Sequence, residues 1–146
     1  MLRLLQPDQV SIYWTDIRAT IQASIVPLAE ATDETLNLIL EAILREEMQV
    51  WAILEEVEGE TNVKGVAVTY INVDVGTQTK NIVVYSLCGY SLLKEETWWD
   101  GLEGLKSFAR RNGCVGIVGY TKVPRIKEIV EKLGGKAEYV FVELEV

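Results

Sequence analysis

The sequence predicts a single α/β domain of the α+β kind, in which a mixed, mostly antiparallel and twisted sheet carries helices on both faces. Two observations support this prediction. The spacing of apolar residues changes along the chain from the three- and four-residue steps of helices to the two-residue alternation of strands, and then back again. The links between the three central strand-like runs are also too short for a crossover connection. The predicted order over residues 1–146 is β-α-α-β-β-β-α-β-α-β.

The N-terminal third predicts one strand followed by two helices. The apolar run Leu2–Leu5 is the strand, and Pro7 opens a helix that Pro27 should end. The second helix begins near Thr32 or Asp33, either of which can cap it. Both helices are amphipathic, with apolar stripes formed by Val10, Tyr13, Trp14, Ile17, Ile21 and Ile25 in the first and by Leu36, Ile39, Leu40, Ile43 and Leu44 in the second.

The middle of the chain predicts an antiparallel meander. Three runs rich in β-branched and aromatic residues, Gln49–Val57, Val63–Val73 and Asn81–Leu87, are separated by short segments of turn-forming residues. Links this short join neighbouring antiparallel strands, so we expect two consecutive hairpins.

The C-terminal part alternates helices with strands. A long helix is predicted over Thr97–Asn112, with Thr97 and Asp100 resembling a capping box. A buried type of strand follows at Val115–Tyr120, then a helix that Pro124 begins, and a last strand at Tyr139–Val146. A strand, a long helix and a further strand imply a parallel pair within the mixed sheet.

The composition excludes several classes of function. The chain has 146 residues, of which 49% are hydrophobic, and its net charge of −8 disfavours binding of DNA or RNA through a broad basic face. The segment 1–8 lacks the long apolar region of a signal peptide, and nowhere do 18 apolar residues run together, so we expect no membrane association and a cytoplasmic location.

The residue types that most often serve metals and acid–base catalysis are scarce. The chain contains no histidine, and its two cysteines, Cys88 and Cys114, lack any metal-binding spacing. No metal site is therefore predicted. Two buried, reduced thiols are favoured over a disulfide or a nucleophile.

Two short motifs in this order of elements resemble the GNAT acetyltransferase superfamily. They are Ala109-Arg-Arg-Asn-Gly-Cys114, at the end of the long helix, and Glu131-Lys-Leu-Gly-Gly135, at the end of the last one. The resemblance covers nearly the whole chain by element order but only these segments by motif. The segment 122–134 also resembles small GNAT-like proteins encoded by tailed phages, some of them virion-associated, which implies packaging in a virion as an alternative location.

The resemblance also implies where a coenzyme would lie. Active members of the superfamily hold acetyl-CoA between the fourth and fifth strands, with its diphosphate on backbone amides of a glycine-containing loop at the start of the next helix. The matching segment here is Lys94-Glu95-Glu96, with no glycine between Tyr90 and Trp99. Its carboxylates would repel a diphosphate. Cofactor contacts would then fall to the strand residues Leu87, Cys88 and Gly89 and to the Lys94 ammonium.

Catalytic residues are only weakly marked. The tyrosine that many members carry on the last helix corresponds to Val130 here. Tyr120 is the candidate substitute as general acid, and Glu55 is the candidate base. Each has a structural alternative, because Tyr120 can be a half-buried strand residue and Glu55 can belong to a solvated acidic hairpin.

Two functions of different classes follow from these residues. In the first, the chain keeps a GNAT-like fold with a degenerate acetyl-CoA site, binds no cofactor, and acts as a binding or assembly protein with a protein partner or with copies of itself. In the second, it is a divergent acetyl-CoA-dependent N-acyltransferase. The missing glycines, the paired carboxylates and Val130 favour the first.

Overall fold

The computed structural model describes residues 1–25 and 30–146. Within these two ranges, five strands and five helices follow one another as β1 (Leu2–Leu4), α1 (Pro7–Ile12), α2 (Trp14–Ser24), α3 (Asp33–Leu44), β2 (Met48–Val57), β3 (Glu60–Val73), β4 (Lys80–Gly89), α4 (Glu95–Arg111), β5 (Gly116–Gly119) and α5 (Pro124–Lys132). The predicted fold class is confirmed, with helices on both faces of a mixed sheet.

The sheet has the spatial order β1-β2-β3-β4-β5. The pairs β1–β2, β2–β3 and β3–β4 are antiparallel, and β5 pairs with β4 in parallel. The meander and the parallel pair are therefore both confirmed. The β2–β3 hairpin turns at Glu58 and Gly59, which have φ angles of 52° and 79°. Positive φ at both central residues is the conformation that fits the twist of a two-residue hairpin.

The first predicted helix is divided into α1 and α2 at Tyr13. This residue has φ −100° and ψ 13°, and its amide donates to the Gln9 carbonyl, which closes α1. The apolar spacing continues across this tight break, so periodicity alone did not reveal it. The predicted end at Pro27 lies outside the described residues.

One face of the sheet carries the main hydrophobic core. The three N-terminal helices pack there against β2 and β3, and buried apolar side chains fill the interface, namely Val10, Ile17, Ile21, Leu36, Ile39, Ile43, Val50, Val66 and Val68. The helical members of this set all belong to the predicted apolar stripes, which confirms their main faces. Tyr13 and Leu44, which were predicted to share these stripes, are exposed instead.

The opposite face is covered by α4 and contains a buried polar chain. The ring of Trp51 meets that of Phe108 edge to face, with centroids 5.0 Å apart. The Trp51 indole N–H donates to Thr69 Oγ1 at 2.8 Å, and the Thr69 hydroxyl donates to Gln49 Oε1 at 2.9 Å. Thr69 thus satisfies two partners at once in a fully buried position.

Replacing Thr69 by valine should lower the free energy of unfolding by about 1–2 kcal/mol, because the buried Trp51 N–H loses its acceptor. Urea unfolding measures this change. The matched control is Thr61→Val at an exposed position of β3, which should stay within about 0.5 kcal/mol of the wild type. Equal effects of the two substitutions would contradict a special role for Thr69.

The last predicted strand is wrong. Residues 136–146 are all described and none of them lies in a strand. The segment has the β-prone composition of a strand, including Tyr139-Val-Phe-Val142, but a strand also needs a neighbouring edge to satisfy its backbone groups. In this structure the segment does not pair with β5, and its apolar side chains are exposed.

Candidate functional site

An opening between β4 and β5 lies where the coenzyme site was expected. The β3–β4 register passes from Val68↔Ser86 to Thr69↔Val84, so Tyr85 is an extra, bulged residue of β4. Pairing of β4 with β5 ends at Val84↔Gly119. Beyond this level the strand β4 continues to Gly89, and β5 has left it.

The start of this opening is covered by the end of α2. Ile25 forms an antiparallel bridge with Ser86, and the hydroxyl oxygens of Ser24 and Ser86 lie 2.6 Å apart. Because β3 occupies the other edge of β4, this bridge uses the edge on which an extended ligand would make β-like hydrogen bonds. The Tyr90 hydroxyl also lies 3.1 Å from Thr20 Oγ1, which ties the end of the strand to α2.

The predicted cofactor residues of β4 lie beyond the Ile25 bridge. Leu87 and Cys88 are half-buried and Gly89 is exposed. Cys88 and Cys114 are both free thiols, as predicted, but they are only half-buried, whereas the sequence analysis predicted buried thiols.

The N-terminus of α4 is capped from a distant strand. The helix begins at Glu95, two residues before the predicted start, and its N-cap Lys94 makes no side-chain capping bond. Instead, Glu55 Oε1 at the end of β2 accepts hydrogen bonds from the Lys94 amide at 3.2 Å and from Thr97 Oγ1 at 2.5 Å. An internal carboxylate therefore occupies the position that favours an anion at a helix N-terminus.

These contacts keep the Glu55 carboxyl group ionised. The hydrogen bond from Thr97 lowers the pKa of Glu55 most, and the Lys94 amide lowers it further, against the opposing effect of burial. A general base works best with a pKa near the operating pH. Glu55 is thus engaged as a helix cap, which is the role that its geometry supports.

Acid should weaken this cap. Because the pKa of Glu55 is lower in the folded than in the unfolded chain, its stabilisation is present above the unfolded pKa and is lost as pH falls through the folded one. Between about pH 6 and pH 3, the melting temperature of the wild type should therefore fall several degrees further than that of Glu55→Gln. Glu56→Gln, at the neighbouring exposed position, is the control and should follow the wild type. Parallel curves for wild type and Glu55→Gln would contradict the capping role.

A cavity of about 270 Å³ lies beside the cap. Four acidic residues, Glu55, Glu56, Glu96 and Asp100, line it together with Lys94 and Met1. The α-amino group of Met1 donates to the Leu54 carbonyl at 2.8 Å. The excess of acidic groups makes this cavity a poor fit for a coenzyme diphosphate.

The two catalytic candidates are not brought together. Tyr120 follows β5, its ring lies 5.5 Å from that of Phe141, and it is close enough to Tyr70 to add to the effect of burial in raising the pKa of that phenol. Tyr70 pairs with Met48, at the start of β2, whereas Glu55 lies seven residues further along that strand. The separation along the strand is therefore roughly 20 Å. Val130 lies elsewhere again, in the groove between α4, β5 and α5.

Sequence reasoning missed three residues of this region, namely Ser24, Ile25 and Thr97 in its role as donor to Glu55. One signal was available for the last. The residue that precedes α4 is a lysine, which cannot accept a capping hydrogen bond, so a carboxylate or hydroxyl from elsewhere was needed. The contacts of α2 with β4 join residues more than 60 positions apart and left no local signal.

Two absences apply to the described residues. No helix among them combines the length and the apolar character that crossing a membrane requires. In the same ranges, 1–25 and 30–146, no three acidic, cysteine or histidine side chains are grouped as metal ligands would be.

Several solved acetyltransferases have the same fold. AAC(6')-Iy, in complex with the bisubstrate analogue CoA-S-monomethyl-acetylneamine, matches with a TM-score of 0.71 and 12% identity over 100% of this chain and 97% of the other. A predicted acetyltransferase from Clostridium acetobutylicum, solved with acetyl-CoA, matches at 0.69 and 13% over 99% and 95%. Glucosamine-6-phosphate N-acetyltransferase from Arabidopsis thaliana matches at 0.65 and 16% over 99% and 97%.

The likeness lies in the structure rather than in the sequence. No protein-family model and no curated protein matches the chain by sequence. Identities of 12–16% over complete chains show a shared fold. The chain therefore has the GNAT fold, as its element order and two motifs had indicated.

Proposed function

We propose that this GNAT-fold chain has a degenerate acetyl-CoA site and acts as a non-catalytic binding or assembly protein. The observation that carries the proposal is the Glu55 carboxylate at the N-terminus of α4. A coenzyme diphosphate would need the same helix end, where Glu95 and Glu96 already fill the first turn. The residues present do not fit a dianion.

A second obstruction supports the proposal independently. The pantetheine arm of a coenzyme would have to run along the free edge of β4. Ile25 takes that edge at Ser86, and the Thr20–Tyr90 contact closes the side of the opening that faces α2. Both the anionic and the extended part of the coenzyme therefore meet groups of the chain itself.

Calorimetric titration of the protein with CoA tests this proposal. We expect no measurable heat of binding up to millimolar ligand. The informative variant is Glu55→Gln/Glu95→Gln/Glu96→Gln, which removes the three carboxylates without shortening a side chain. Weak binding gained by this variant alone would support repulsion as the cause. Micromolar binding by the wild type would refute the proposal.

An acetyl-CoA-dependent N-acyltransferase is the second candidate. The bulge at Tyr85 and the departure of β5 after Gly119 leave Leu87–Gly89 without β5 alongside, as a ligand between the strands would require. Solved proteins with this fold include one bound to a CoA analogue and one with acetyl-CoA. In this case Lys94→Ala should weaken CoA binding severalfold, and release of free thiol from acetyl-CoA should be detectable with a panel of primary amines.

We propose the particle of a tailed phage as the assembly to which the chain belongs. This extension rests on the resemblance of segment 122–134 to small phage-encoded GNAT-like proteins. Mass spectrometry of purified particles tests it. Recovery of the chain at a constant copy number per particle would support a virion component, and confinement to the lysate supernatant would count against one.

A further inference from the structure

The C-terminal tail, residues 137–146, exposes apolar side chains without forming a strand. Val142 is 75% exposed and Leu144 85%, so these side chains contact little of their own chain. Phe141 is held against Tyr120, just beyond the end of β5. A β-prone, apolar segment in water is a segment suited to pairing with another edge.

An open edge lies next to this tail. In the ranges that the structure describes, β5 pairs with β4 on one side only and ends the sheet. Edge strands of this kind present unpaired backbone groups that an added strand can satisfy. Val118, at the centre of the edge, has an exposed side chain.

An apolar groove continues from the edge onto α4 and α5. Its volume is about 500 Å³, and its apolar lining includes Leu102, Ile117, Val130 and Leu133. The helix α5 is amphipathic, yet none of its residues, all of which are described, is buried. The groove is therefore a surface that lacks a covering element.

Charge identifies what fits the groove. The segment 106–136, which forms its walls, carries eight basic and two acidic residues in a chain that is otherwise strongly acidic. Arg110 belongs to the lining itself, as does Lys106, whose ammonium is paired with Glu103 at 2.9 Å. The tail carries three glutamates, Glu138, Glu143 and Glu145, and no basic residue. Its apolar and acidic side chains match the apolar floor and basic rim.

We propose that the tail of one chain adds as a strand to the free edge of β5 in a second copy and covers the groove of that copy. Two chains then exchange tails in a symmetric dimer, since each offers both the tail and the edge. The tail, β5 and the groove together supply roughly the 20–30 residues a side that stable interfaces use. This inference goes beyond the proposed function and does not depend on whether the coenzyme binds.

Light scattering coupled to size exclusion, over a range of concentrations, tests the exchange. We expect the wild type to have twice the mass of one chain. Val142→Asp removes an apolar contact and adds a charge to the strand, so it should weaken the dimer at least tenfold. The matched control is Val75→Asp in the β3–β4 turn, where the side chain is 87% exposed, and it should remain dimeric.

Hydrogen exchange locates the interface. Amides of residues 116–119 and of the tail should exchange more slowly in the wild type than in Val142→Asp. Loss of the dimer in Val142→Asp alone, with loss of this protection, would support the proposal. A monomeric wild type, which is the result expected if the tail folds back on its own chain, would overturn it. A dimer that survives Val142→Asp, or one that Val75→Asp also dissociates, would do so too.

Discussion

An alanine in place of Leu36 is expected to lower the free energy of unfolding by about 2–5 kcal/mol. Leu36 lies on α3 with no exposed surface and belongs to the core between the N-terminal helices and the sheet. Truncation removes buried methyl groups and leaves a cavity that neighbours fixed on three helices and two strands refill only in part. Denaturant unfolding, with the slope checked for two-state behaviour, measures the loss.

The same helix offers the control for this substitution. Leu38 lies two residues further on and is 59% exposed. Leu38→Ala makes the same chemical change with little burial at stake, and leucine and alanine both favour helices. We expect it to stay within about 0.5 kcal/mol of the wild type. A loss at position 38 equal to that at position 36 would contradict the assigned core face of α3.

Replacement of Gly65 by alanine is expected to cost about 3 kcal/mol, because the added methyl group has no room. A Cβ atom at this position would overlap the carbonyl oxygen of Cys88 and would lie 3.1 Å from both the Gly89 Cα and the Ile53 side chain. The first two atoms belong to the backbone of β4 and cannot rotate away. The end of β4, where the cofactor residues were predicted, would have to shift.

Gly101→Ala provides the opposite result with the same substitution. Nothing lies within 4 Å of a Cβ atom at Gly101, which is in the middle of α4. Alanine there should raise the free energy of unfolding by up to about 1 kcal/mol through its helix propensity. Changes of opposite sign in the free energy of unfolding would confirm that Gly65 is needed because β3 and β4 approach each other closely there.

The central sheet could be predicted from the sequence because its determinants are local. Short turns between Val- and Ile-rich runs predict two adjacent hairpins. A strand followed by a long helix and another strand predicts a parallel pair. The core faces of α2 and α3 followed from apolar spacing for the same reason. The break at Tyr13 did not follow, because the apolar stripe continues across it.

The candidate site depended on contacts that no local pattern records. The spacing of motifs located the helix end at Lys94–Glu96, and the lack of glycine there indicated a poor anion site. Glu55 reaches this helix end from a strand 39 positions earlier. Neither the sequence around Glu55 nor that around Lys94 predicts this contact. The prediction of a strand in the tail was wrong for a related reason, because a β-prone composition does not specify the strand edge with which a segment pairs.

The Glu55 cap also bears on how this fold behaves without a ligand. A protein that needs a bound anion to complete a helix end gains stability when the anion arrives, and its melting point then rises with ligand concentration. Here the completing group is part of the polypeptide and is present as soon as the chain folds. The start of α4 is therefore complete without a ligand. We expect the melting temperature of the protein not to change when a nucleotide such as coenzyme A is added.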